Sequence, residues 1–168
     1  MEHVVGVFYK VNQYFGKIFE QLLPGATAKM TLVELGGPKA GGDQIINELI
    51  KQPKVFGCEI KVAFNGVWKE NLGELSGGQR SLLALSYLMA TLKYKSAPFY
   101  ILDEIDAALD LSHTENLGHM LSQNFPDSQF IIISLKEGVY KASNVLYKTG
   151  LIDGKSQVTR IINPKKST

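Results

Sequence analysis

The sequence predicts an α/β fold: a parallel-sheet half with flanking helices, closed by a C-terminal β-hairpin. Two uninterrupted apolar runs, Phe99-Tyr100-Ile101-Leu102 and Phe130 to Ile133, have the length and character of buried parallel strands. A helical pattern around Leu111 to Asn124 separates them with short links, the order of a strand–helix–strand crossover. At the far end, Asn144 to Lys148 and Val158 to Ile162 flank an Asp153-Gly154 turn and read as a hairpin.

Before these elements, Val4, Val5, Phe8, Val11, Tyr14, Phe15, Ile18, Phe19 and Leu22 recur at spacings of three and four. That spacing predicts an amphipathic helix, stopped by Pro24-Gly25 and reading as the last piece of a longer one. Leu35 to Gly42 is glycine-rich and reads as a loop, with a short helix over Asp43 to Lys51. Phe56 to Phe64 alternates as a strand, and Asn65-Gly66 predicts a two-residue hairpin turn into Val67 and Trp68. Ser76 then caps a helix with apolar positions Leu82, Leu83, Leu85, Leu88, Met89 and Leu92, and Lys93 and Lys95 suit its negative end.

Composition narrows the class. At 168 residues the chain suits one domain, and 45% hydrophobic with 20% charged residues is ordinary for a globular protein. A net charge of +2 is too small to point to nucleic-acid binding by charge. The sole cysteine, Cys58, rules out an internal disulfide and reads as a small buried strand residue in a reducing compartment. No apolar run approaches the ~20 residues that span a bilayer. Glu2 and His3 stand where a signal peptide carries basic residues, so no leader and no membrane contact are expected.

Two constellations carry chemistry. In Leu75-Ser76-Gly77-Gly78-Gln79 the glycines let backbone N–H groups approach an anion, Ser76 adds a hydroxyl, and the helix beginning there points its dipole at the same spot. A glycine turn capping a helix would be the plainer reading of Gly77-Gly78 alone. Asp103-Glu104 closes the first apolar strand, and ligands in open parallel sheets bind beyond the strands' carboxyl ends. An aspartate there can hold Mg²⁺, while the neighbouring glutamate can act as base toward water. Asp106-Ala107-Ala108-Leu109-Asp110 follows directly.

With Arg80 and an apolar helix behind it, the first constellation matches the signature motif of ABC-type ATPases. Asp103-Glu104 stands about 25 residues further on, and the 106–110 run resembles the D-loop that touches the opposite nucleotide site in ABC dimers. A phosphate loop, G-x-x-x-x-G-K-[ST], is absent from the sequence. Gly150 to Ser156 comes near, but only three residues separate its glycines and a strand pattern, not a helix, follows. These features resemble the structural-maintenance-of-chromosomes (SMC) family, where a long coiled coil separates the two halves of each head. Trp68-Lys69-Glu70-Asn71-Leu72, Leu109 to Thr114, Ser134-Leu135-Lys136-Glu137-Gly138 and Leu22-Leu23-Pro24-Gly25 resemble its Smc-two branch, found in condensin.

The resemblance implies the C-terminal lobe of an ABC-type P-loop ATPase head lacking its phosphate loop. Residues 1–23 would be the end of the coiled coil and first head helix, and 24–168 the lobe. It implies ATP and Mg²⁺ as cofactors, with Glu104 as the catalytic base and Asp103 on the metal. Ser76, Gly77, Gly78 and Gln79 would meet the γ-phosphate of ATP held by a partner head, with Asp106 and Asp110 lining the D-loop. Implied partners are the N-terminal half of the same head, a second SMC head of the condensin Smc-four type, a kleisin subunit and DNA. The implied setting is the nucleus and chromosome, also the cytoplasm. Two departures stand out. Leu135 occupies the place where ABC transporters carry a γ-phosphate-contacting histidine, and the stretch from Val33 to Lys54 is long for the branch, as a surface insertion would be. A nucleotide-gated clamp with negligible hydrolysis, another chromosome or DNA-repair ATPase of this type, and a transporter ATPase are the alternatives. Ile105-Asp106 after the carboxylates, and the missing loop, speak against the transporter.

Overall fold

The computed structural model describes residues 2–34 and 56–163. The loop and short helix expected over 35–51, and most of the expected insertion, lie outside the described residues. Helix α1 (Glu2–Leu22) realises the spacing of its apolar side chains: Phe15, Ile18, Phe19 and Leu22 are fully buried. They pack on α2 (Gly77–Tyr94), on β1 (Ala26–Glu34) and on α3 (Leu111–Asn124). Leu82, Met89, Leu117, Met120 and Val62 complete the core around them. No helix among the described residues is long and apolar enough to cross a membrane.

Strand β1 went unread in the sequence. It pairs antiparallel with β2 (Phe56–Phe64) along its whole length, from Ala26 opposite Phe64 to Glu34 opposite Phe56. As an edge strand it leaves backbone groups open, and α1 closes one pair of them. The Asn12 side-chain amide donates to the Met30 carbonyl at 2.9 Å, and its oxygen accepts from the Met30 N–H at 2.7 Å. Asn65 and Gly66, with φ of 49° and 80°, make the expected turn into β3 (Val67–Trp68). Cys58 departs from expectation and is exposed. It pairs with Leu32, one core-facing step beyond the Met30–Ile60 pair that the core still reaches.

The crossover forms as predicted. β4 (Phe99–Asp103) and β5 (Gln129–Ile133) pair in parallel, with α3 between them in sequence. Behind them Tyr100, Phe125 and Phe130 pack as an aromatic trio, with the Tyr100 and Phe130 rings stacked at 4.9 Å. The expected burial holds on that face only. On the other, Phe99, Ile101, Ile131 and Ile133 are all exposed, Ile101 by 62%. β6 (Val145–Ile152) and β7 (Lys155–Ile162) make the predicted hairpin around Asp153-Gly154. Gly150 to Ser156 is therefore a strand end and a turn, without the helix that a phosphate loop needs.

Two contacts fix how the helices meet. Lys93 does not serve its own helix end: its ammonium donates to the Asn124 carbonyl at 2.8 Å, closing α3, and burial pushes its pKa down. Helix α4 (Glu137–Tyr140) crosses α3 where Gly138 touches Thr114, itself fully buried. A Cβ on Gly138 would lie 1.9 Å from Thr114 Oγ1 and 2.8 Å from the Glu115 backbone nitrogen. Gly138→Ala must therefore push the two helices apart. We expect a loss of about 3 kcal/mol, the upper end of overpacking. A denaturant titration of the assembled protein checks it; a loss under about 0.5 kcal/mol, the scale of a neutral surface change, would contradict it.

Candidate functional site

Three loops carry the candidate residues. The first opens α2. Ser76 is its N-cap: the hydroxyl accepts from the Gln79 N–H at 3.2 Å, and Gln79 Oε1 accepts from the Ser76 N–H at 2.9 Å. This reciprocal box fixes the turn, leaving Ser76 exposed and open space around Gly77. Arg80 secures it from behind, donating to the Leu75 carbonyl at 2.9 Å. A short 3₁₀ turn, Leu72–Glu74, leads in and carries a second capping box built by Asn71 and Glu74.

Asp103 ends β4 and Glu104 follows it, and both are exposed. Strand alternation puts Asp103 on the face shared by Phe99 and Ile101. Glu104 breaks the alternation: its φ is 48°, a left-handed conformation that a branched or long side chain rarely adopts. Its N–H still continues the ladder, donating to the Ile133 carbonyl at 2.9 Å. Strain of this kind costs about 1–3 kcal/mol and clusters at functional sites.

The 106–110 turn is the third loop. Two successive turns shape it: the Ala107 N–H donates to Glu104 O and the Leu109 N–H to Asp106 O, each at 3.0 Å. Asp106 does not face solvent. It is 1% exposed, and its Oδ2 accepts from the Ser134 hydroxyl at 2.6 Å. Asp110 is exposed and caps α3, accepting from the His113 N–H and the Ser112 hydroxyl. Those bonds, the His113 N–H foremost, hold its carboxyl below the ordinary range. Both carboxylates thus have partners, whereas Asp103 and Glu104 have no side-chain partner among the described residues. The turn meets the first loop directly: a Cβ on Gly78 would lie 3.7 Å from the Ala108 carbonyl. Leu135, just beyond β5, is 91% exposed.

Sequence reasoning passed over Ser134 and Lys136 as chemistry. The Lys136 N–H donates to Ser134 Oγ at 2.9 Å, and its ammonium donates to Ala107 O at 2.7 Å and to Leu109 O. Partners 27 and 29 residues apart leave no periodic trace.

An α/β lobe that carries a glycine-rich helix start, two strand-end carboxylates and the turn that follows them in sequence is an SMC-head-like fold. Residues 18–157 match the family model described as RecF/RecN/SMC N terminal domain, and the chain belongs to that family. It is 55% identical over 157 residues to structural maintenance of chromosomes protein 2 of Dictyostelium discoideum, covering 94% of this chain and 12% of the relative. The Homo sapiens protein of that name is 53% identical over 151 residues, covering 90% and 11%. The chain thus spans about an eighth of the length of such relatives. Among solved structures, an Smc head bound to the C-winged helix domain of ScpA gives a TM-score of 0.70 at 30% identity, covering 94% of this chain and 44% of that one. A chain from work on ATP-driven dimerization and DNA-stimulated activation of SMC ATPases gives 0.71 at 28% identity, covering 95% and 88%.

Proposed function

We propose that this segment is the C-terminal half of a condensin SMC ATPase head of the Smc-two type, serving ATP-dependent head engagement and hydrolysis in chromosome condensation. The observation that carries the reading is the uncovered face of β4 and β5. Parallel sheets are covered on both faces, yet Phe99, Ile101, Ile131 and Ile133 are bare. A further segment belongs on that face, and one seated there would abut Asp103. The phosphate loop absent from the sequence is what such a segment would bring. The matching family model is named for an N terminal domain, so the C-terminal assignment rests on the motifs themselves.

In this reading Asp103 holds Mg²⁺, which favours a hard carboxylate oxygen and keeps its waters and phosphate ligands. The ion would neutralise charge on the phosphates. Glu104 takes the proton of the attacking water. Ser76, Gly77, Gly78 and Gln79 face ATP of a second head, of the Smc-four type, while Asp106 and Asp110 shape the D-loop from within. Kleisin and DNA are partners of the assembled complex, which would act at chromosomes in the nucleus. Support for a kleisin comes from the ScpA-bound Smc head among the structural neighbours.

The isolated chain is expected to bind no Mg-ATP at micromolar concentration in a calorimetric titration, and to bind it once the N-terminal half is added. Micromolar binding by the chain alone would overturn the reading. One observation favours a second reading, a clamp that engages ATP but barely turns it over: exposed Leu135 has no polar group for the γ-phosphate. A single-turnover measurement on the complete head separates the two.

A further inference from the structure

The D-loop and the segment after β5 are joined by one side chain, whose hydrogen bonds among the described residues all go to the D-loop. We propose that Lys136 is a positioning residue for hydrolysis, holding the D-loop against the signature turn so that the two sites flanking it are set together. The inference rests on the head reading above.

The geometry is that of a latch. The Lys136 ammonium donates to the carbonyls of Ala107 and Leu109, the residues on either side of Ala108. The Ala108 carbonyl is the atom that Gly78 of the signature turn approaches. Pulling on both neighbours fixes the direction of that middle peptide. The latch is itself anchored at three points. Its own N–H is held by Ser134, whose hydroxyl is tied to buried Asp106 at the start of the same turn. Two residues on, Gly138 is seated against Thr114 near the start of α3, the helix that follows the D-loop. Glu104, through its carbonyl, accepts from Ala107 and so shares the turn that Lys136 grips.

A cation suits this task better than a neutral donor. Two backbone carbonyls face one point here, and an ammonium supplies three donors there. The Lys136 ammonium itself bonds backbone carbonyls of the turn, so the residue should act on the rate and not on affinity. Misplacing a reacting group by ~1 Å can cost about 100-fold, and a freed D-loop should cost roughly tenfold or more.

The test uses the full-length protein with its partner head and DNA. Lys136→Met is expected to lower kcat roughly tenfold with KM for ATP within about twofold, and with an unchanged melting temperature. Lys136→Arg, whose forked donors still reach two carbonyls, should recover at least half of the unmutated kcat. Glu104→Gln is run beside them as a measure of the head reading alone. If the unmutated protein does not hydrolyse ATP, or Glu104→Gln hydrolyses normally, that reading falls and the latch with it. If Glu104→Gln is inactive but Lys136→Met keeps kcat within twofold, only the latch is overturned. Equal loss in the Met and Arg variants overturns it too, whether or not the Met variant melts early.

Discussion

A complete head carrying Glu104→Gln is expected to hydrolyse ATP about 10²–10⁴-fold more slowly, the usual contribution of a general base. Glutamine keeps the shape and can still hydrogen-bond the water, but it cannot accept a proton. Its backbone demand is the same as that of glutamate, so the left-handed conformation at this position, φ 48°, is neither relieved nor worsened. Mg-ATP binding, which depends on Asp103 and the phosphate-loop half, should persist. Engaged heads should then accumulate with ATP between them. Asp103→Asn should differ by weakening the metal site and the nucleotide complex itself. Dimer mass and phosphate release, followed together after adding Mg-ATP, distinguish the two. Near-normal hydrolysis by Glu104→Gln, or no excess of ATP-dependent dimer, would remove Glu104 from the base's role.

Much of this scaffold was legible because its signals are local. Helix α1 announces itself through Phe15, Ile18, Phe19 and Leu22 on one stripe, and Asn65-Gly66 supplies the two positive φ angles of its turn. The reciprocal bonds of Ser76 and Gln79 follow from a cap residue and its partner three positions on. Strand β1 was missed because Ala26, Ala28 and Lys29 are poor strand formers. Pairing with β2 and the Asn12 clamp override that preference, and both come from distant sequence.

The apolar run of β4 was read as buried on both sides. Its residues are indeed those of a twice-covered strand, but among the described residues only one face has its cover. A sequence records the burial a strand is built for, not which segment provides it. The candidate site shows the same limit. Ser76, Asp103 and Glu104 stand where their motif positions predict, at a helix start and a strand end. The inward turn of Asp106, the capping by Asp110 and the grip of Lys136 are tertiary contacts that motif spacing does not encode.

Ser76→Arg is expected to leave ATP binding to its own head intact while abolishing ATP-driven pairing of heads. Ser76 is exposed at the start of α2, with open space around Gly77, so the helix start leaves room for a long side chain. It would instead occupy the space that the partner's nucleotide needs. Two other effects must be separated from that block. Losing the cap destabilises the helix by about 1 kcal/mol, and a cation at the helix's positive end adds roughly 0.3–1 kcal/mol. A guanidinium could also attract phosphate and offset part of the obstruction. Ser76→Asp resolves both questions, because aspartate is a good cap and suits the dipole, yet sets a negative charge against the γ-phosphate. If Ser76 serves the partner's ATP, the Arg and Asp variants should both lose dimerisation, the Asp variant by roughly 150- to 5,000-fold, as expected where an uncompensated charge is buried at a cost of about 3–5 kcal/mol. Normal dimerisation by Ser76→Asp would mean that only the cap matters. Weakened nucleotide binding within one head, with pairing preserved, would place Ser76 on the wrong site altogether. Equilibrium nucleotide titration on a single head, beside sedimentation of mixed heads with Mg-ATP, reads each of these outcomes.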